Sequence, residues 1–159
     1  MNNSCTDVST FEFYNSYHTH PINKFLHLLG IPSIMLSSLV LLNNFHIYQH
    51  PIPEIKIKIS LSSIVVLFYC LYYYSYGLYP GIVMHIYLTL MNFIQYKLKF
   101  SNKNASYIFI MSWGLQFIGH FIEGNRPALT DSIGQAFLGA PIFSLTPIIP
   151  GLKKALLKT

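Results

Sequence analysis

Residues 59–79 run for twenty-one positions without a charged side chain, and such a run leaves a chain few folds to choose from. About 20 consecutive apolar residues are what a helix needs to cross the hydrocarbon core of a bilayer. Four further uncharged apolar stretches accompany it, at 28–42, 81–96, 105–122 and 132–152. Gly30 and Pro32 interrupt the first, and Pro141, Pro147 and Pro150 break the last. Tyr79-Pro80-Gly81 reads as the turn between the second and third. Only 9% of the 159 residues are charged, whereas a soluble domain carries about a quarter. The surface must therefore face lipid. The expected fold is all-α: a polytopic transmembrane helical bundle of four to five membrane helices, forming a single domain over 1–159. Residues 1–10 are polar and expected to be disordered. Residues 11–20, FEFYNSYHTH, form a short amphipathic segment too polar to span. Pro21 sits where a helix would start, since its missing N–H is harmless at the first helical position, and His20 falls near the N-cap. The tyrosine-rich segment 69–79 reads as an aromatic band at a lipid–water interface.

The net charge of +5 does not indicate nucleic acid. The basic residues stand in ones and twos between apolar runs, as Lys56 and Lys58, then Lys97, Lys99 and Lys103, then Lys153, Lys154 and Lys158. Charges flanking membrane helices are placed that way, whereas a nucleic-acid face interleaves basic and stacking residues. If the first four stretches cross, these eight lysines share one side and only Lys24 and Arg126 lie on the other. The positive-inside rule makes the lysine-rich side cytoplasmic. The compartment then follows the source: endoplasmic reticulum in a eukaryote, inner membrane in a bacterium. Cys5 and Cys70 form no CxxC and no disulfide framework. The first twenty residues, with Asp7 and Glu12, show no cleavable signal peptide.

An even number of crossings also brings two distant segments to one membrane face. In the first, His18, His20 and His27 fall within ten residues, and a helix opened by Pro21 puts Asn23 and His27 on a shared face. In the second, Trp113, Gln116, His120 and Glu123 are spaced three, four and three, which is one stripe of a helix. An ionisable pair inside a membrane helix marks a functional site by default, because burying it unpaired costs several kcal/mol. The bland reading is interhelical hydrogen-bonded glue. Together the segments offer four imidazoles and one carboxylate, a donor set that suits Fe, Zn, Mn or Cu and contains no thiolate. Asn23, Gln116 and Trp113 are suited to orienting the imidazoles. His46, His50 and His85 lie outside both segments, the first two in a loop and the third in an apolar helix. No GxSxG elbow, Walker loop, GxGxxG or HExxH occurs.

Three stretches carry a family likeness: YHTHPINKFLHLLGIP at 17–32, WGLQFIGHFIEGNRPAL at 113–129, and the weaker trio Asp131, Gln135 and Ala140-Pro141. With them the chain resembles the 2-hydroxy fatty acid dioxygenase family first recognised in yeast. The resemblance implies Fe(2+)-dependent removal of one carbon from a 2-hydroxy fatty acid with O2, as in phytosphingosine breakdown. It implies His18, His27 and His120 as iron ligands, ahead of His20, where some relatives carry Asn. The stretch from His120 to Pro127, which includes Glu123, is one residue shorter than in some members. A 2-hydroxy carboxylate can chelate iron, its tail can lie between apolar helices, and Arg126 can pair with the carboxylate. The competing readings are a zinc hydrolase with Glu123 as base, a bis-histidine haem bundle, and a non-catalytic membrane protein.

Overall fold

The computed structural model describes residues 10–49 and 58–157. His50, Lys56, Cys5 and the terminal residues 1–9, expected to be disordered, lie outside that range. Among the described residues the chain forms seven α-helices. These are α1 (Thr10–Ser16), α2 (Pro21–Leu42), α3 (Leu61–Ser75), α4 (Leu78–Leu98), α5 (Asn102–Glu123), α6 (Ile133–Leu145) and α7 (Leu152–Leu156), with a 3-10 turn at Ala128–Thr130. The described residues that follow α2 and precede α3 pair as an antiparallel ribbon of β1 (His46–Gln49) and β2 (Lys58–Ser60), which the sequence reading of a loop did not foresee.

Local chemistry sets the helix limits. Pro21 opens α2 as expected, and the Ile22 N–H donates to the ring of His20 at its N-cap. Ser60, Ser101 and Ser132 cap α3, α5 and α6, each accepting from a backbone N–H three residues on. Gly124 closes α5 in the left-handed region, at φ 75°, where a residue without Cβ is at no disadvantage.

Two helices, α2 and α5, are long and apolar enough to cross a membrane. At about 1.5 Å per residue, twenty-two residues make each about 33 Å long. The sequence reading differs here in two ways. Gly30 and Pro32 do not shorten the first stretch, because α2 runs straight through both. The twenty-one-residue run at 59–79 does not make one span: α3 stops at Ser75, and Gly77, at φ 120°, turns the chain into α4. The turn therefore falls at Tyr76-Gly77, while Pro80 and Gly81 lie inside the first turn of α4, where proline's missing N–H is tolerated. Of the four to five expected spans, α3 and α6 are shorter apolar helices.

α2 is the axis of the bundle and packs on α5, α6, α4 and α3. It lies against α5 at close range. A Cβ on Gly30 would run into the Gln116 side chain and lie 3.2 Å from the Ser112 carbonyl, and one on Gly119 would run into the Asn23 side chain. The two helices run antiparallel, so the start of α2 meets the end of α5, while Asn44 just beyond α2 bonds Asn102 at the start of α5. α1 buries Phe11 and Tyr14 against α6.

The tyrosines of α3 divide between the outer surface, where Tyr74 is exposed, and the interior. Tyr69 and Tyr73 are buried and donate to the carbonyls of Phe137 and Leu138 on α6. Tyr72 bonds Thr10 at the start of α1. The Phe137 carbonyl needs such a donor, because the residue four ahead is Pro141, which has no N–H to offer it. The outer faces tell the opposite story: Phe121 is 88% exposed and Met111 69%. Similar apolar side chains face outward along α2, α3 and α4, as at Phe25, Leu71 and Ile86.

Candidate metal centre

The antiparallel α2–α5 pair, with the loop before α2, brings His18, His27 and His120 together. One nitrogen from each lies within 4.8 Å of the other two, and all three residues are buried. The tautomers of the first two follow from their partners. The Nδ1 of His18 is 2.6 Å from the Tyr14 carbonyl, and that of His27 is 2.9 Å from the Asn23 carbonyl. A carbonyl only accepts, so both Nδ1 atoms carry the proton and donate. Both neutral rings then present a bare Nε2, and these two atoms face each other at 2.9 Å. Two lone pairs at that distance repel unless a cation stands between them. Burial lowers the His18 imidazole to about 4, so a proton is a poor candidate for that cation at neutral pH. A metal ion fits. Two metal–nitrogen bonds of about 2.0–2.1 Å at a right angle hold their nitrogens about 3 Å apart, and backbone carbonyls on the far nitrogens are the usual outer anchors of metal-bound imidazoles.

The third ring completes the cradle. His120 lies 4.9 Å and 5.0 Å, centroid to centroid, from His18 and His27. Its Nδ1 is buried without a hydrogen-bond partner, as are Asn23 Oδ1 and Gln116 Oε1. Three of the five such side-chain atoms among the described residues thus belong to the facing helices α2 and α5, and two of those residues, Gln116 and His120, line the same cavity. Buried polar atoms left unpaired usually signal a missing ion, water or ligand.

The other predicted residues have different posts. His20 stands outside the triad, its Nδ1 taken by the Ile22 N–H at the α2 cap. Glu123 is held at the α2 N-terminus. Its Oε1 accepts from the Thr19 hydroxyl at 2.7 Å, from the His20 N–H at 2.7 Å and from the Thr19 N–H, and its Oε2 accepts from Asn23 Nδ2. An anion at a helix N-terminus is favoured, and this one ties the end of α5 to the start of α2. It lies 3.9 Å from His120 Nδ1, too far for a hydrogen bond. Gln116 donates weakly to the Leu26 and Ser112 carbonyls, both at 3.4 Å, which fixes its amide orientation and leaves Oε1 free. Trp113 contacts Phe109, Phe117 and Phe137 edge-on or tilted. Arg126 is exposed and pairs with Asp131 at 3.1 Å. His46 on β1 and His85 on α4 are exposed and do not join the triad.

Sequence reasoning missed Tyr14 and Phe143. Tyr14 stacks on His18 with centroids 4.2 Å apart, and Phe143 packs on the same ring at 4.9 Å. Tyr14 was within reach of the spacing argument, since it precedes His18 by four residues, as Asn23 precedes His27. Phe143 comes from a distant helix and left no such signal. Also unforeseen is a cavity of about 220 Å³ that opens beside His27 and His120 and runs between α2, α3, α5 and α6, walled by Ile31, Met35, Leu39, Phe117, Ala136 and Phe137 among others. Gln116 lines it near the histidines.

By fold and site this is a helical bundle with three buried imidazoles, able to hold a metal ion, two of which line the head of an apolar cavity. Comparison with known proteins gives that class a family. The model of the family described as "2-hydroxy-palmitic acid dioxygenase Mpo1-like" matches residues 6–150, and the chain belongs to this Mpo1-like family. It is 34% identical over 138 residues to the 2-hydroxy-palmitic acid dioxygenase MPO1 of Saccharomyces cerevisiae, a match covering 85% of this chain and 75% of the yeast protein. No solved structure matches it.

Proposed function

We propose that this protein is a membrane-embedded, Fe(2+)-dependent dioxygenase that removes one carbon from 2-hydroxy fatty acids. The observation that carries the reading is the pair of bare Nε2 atoms 2.9 Å apart, beside His120, at the mouth of an apolar cavity. The relative's substrate, named in its description, has the matching shape, a polar head on a long apolar tail.

His18, His27 and His120 are the residues that would hold the iron, through nitrogen alone. Bound there, Fe(2+) supplies the redox chemistry that activates dioxygen. The chain's own residues do the rest. The Tyr14 and Asn23 carbonyls keep the two Nδ1 protons in place and so keep both Nε2 lone pairs turned inward. Gln116 Oε1, a buried acceptor without a partner, accepts a hydrogen bond from the substrate's 2-hydroxyl, which an unsubstituted fatty acid does not offer. Arg126, next to the cavity-lining Pro127 but exposed and paired with Asp131, would have to leave that pair to meet the carboxylate. The apolar walls bury the tail and exclude water. The overall reaction balances without a further reductant: 2-hydroxy acid and O2 give the acid one carbon shorter, carbon dioxide and water. α3, α4 and α6 lie in the bilayer with α2 and α5, their outward apolar side chains against lipid.

The test is oxygen consumption by purified, iron-loaded protein given 2-hydroxypalmitate. The expected result is one shorter fatty acid and one carbon dioxide per O2, about one iron per chain, no Soret band, and no turnover of palmitate. Iron-loaded protein that leaves 2-hydroxypalmitate intact would overturn the reading, and a Soret band would turn it to haem.

A further inference from the structure

The cavity has a direction. From His27 it follows α2 past Ile31, Met35 and Ser38 to Leu42, at steps of four, four, three and four residues, one stripe of the helix. The far end lies where α2 finishes and α3 begins, since Leu42 is the last residue of α2 and Val65 stands on the second turn of α3. Fifteen residues separate His27 from Leu42, or about 22 Å at about 1.5 Å per residue. A zigzag chain of carbon–carbon bonds of about 1.5 Å advances about 1.25 Å per carbon, so about 17 carbons span that length.

We propose that α2 gauges acyl length, with Ser38 and Leu42 setting how long a tail the site accepts. The proposal rests on the reading of this site as one that binds 2-hydroxy fatty acids. Each methylene drawn into the apolar cavity strengthens binding about fourfold. A carbon beyond Leu42 has no such wall to bury against. Ser38 stands one helical turn nearer the histidines, about 6 Å along the axis, which corresponds to about five carbons. Position along α2 thus converts directly into chain length.

The experiment measures kcat/KM for 2-hydroxy acids of about ten to about twenty carbons, where each added methylene within the cavity should raise it about fourfold. The wild-type protein should peak at about 16 to 18 carbons. Leu42→Trp should move the peak to shorter acids, and Ser38→Phe should move it about five carbons further. Leu42→Ala should admit longer acids, and because it removes bulk it remains informative if the large substitutions prevent folding. The order of the shifts is the discriminating readout, since a loss of stability lowers all lengths together. Turnover by the wild type with the same profile in all three variants would overturn the gauge and leave the activity standing. No turnover at any length would overturn both.

Discussion

At the scale of single residues, the site turns on which histidine nitrogens are spoken for. His18 and His27 spend Nδ1 on a backbone carbonyl four residues back, and that forces Nε2 inward. His20, two positions from His18, spends its ring on the α2 cap. The two kinds of histidine should separate cleanly on substitution. Alanine at His18, His27 or His120 should abolish iron retention, measured by elemental analysis after gel filtration. His20→Ala should keep the iron and cost about 1 kcal/mol of stability, the usual worth of a helix cap. A His18→Ala or His27→Ala protein that holds a full complement of iron would remove the triad from consideration. The clustering of histidines was plain in the sequence, as was the stripe from Trp113 to Glu123. The division of labour among them was not. His20 and Glu123 carry the right donor atoms, and only their hydrogen-bond partners, Ile22 and Thr19 among them, show that those atoms are already engaged.

At the scale of elements, α3 and α6 are matched through a defect. Pro141 deprives the Phe137 carbonyl of its helical donor, and the Tyr69 hydroxyl, 3.0 Å away, takes that place. Tyr69→Phe should therefore cost about 1–3 kcal/mol, the penalty for leaving a buried acceptor unpaired. In a Pro141→Ala background an N–H returns to position 141, and the same change should cost less than about 1 kcal/mol. Thermal unfolding of the four proteins in detergent measures the cycle, and equal costs in both backgrounds would reject the pairing. The sequence showed the apolar stretches, and the helices lie where those stretches lie. It placed the turn after α3 too late and read Gly30 as an interruption. Composition registers a glycine but not the neighbour that requires it; here that neighbour is Gln116 on α5.

At the scale of the whole molecule, outward and inward surfaces are both apolar. Phe121, Met111, Ile110 and Ile86 are each more than 60% exposed, and a surface of that kind in water would associate. The protein should stay in the membrane pellet after an alkaline carbonate wash and leave it only with detergent. Release by carbonate alone would contradict the embedded reading. The sequence by itself determined the helical class, the apolar, charge-poor composition and the two histidine segments. Each depends on residue type and on the period of 3.6, which local order conveys. Only the tertiary structure decided that α2 and α5 lie antiparallel at close range, that three histidines rather than four or five groups form the centre, and that a cavity runs from them along α2. Those outcomes depend on contacts between residues about a hundred positions apart, such as Thr19 with Glu123 and Leu26 with Gln116, and no local pattern in the chain encodes such pairings.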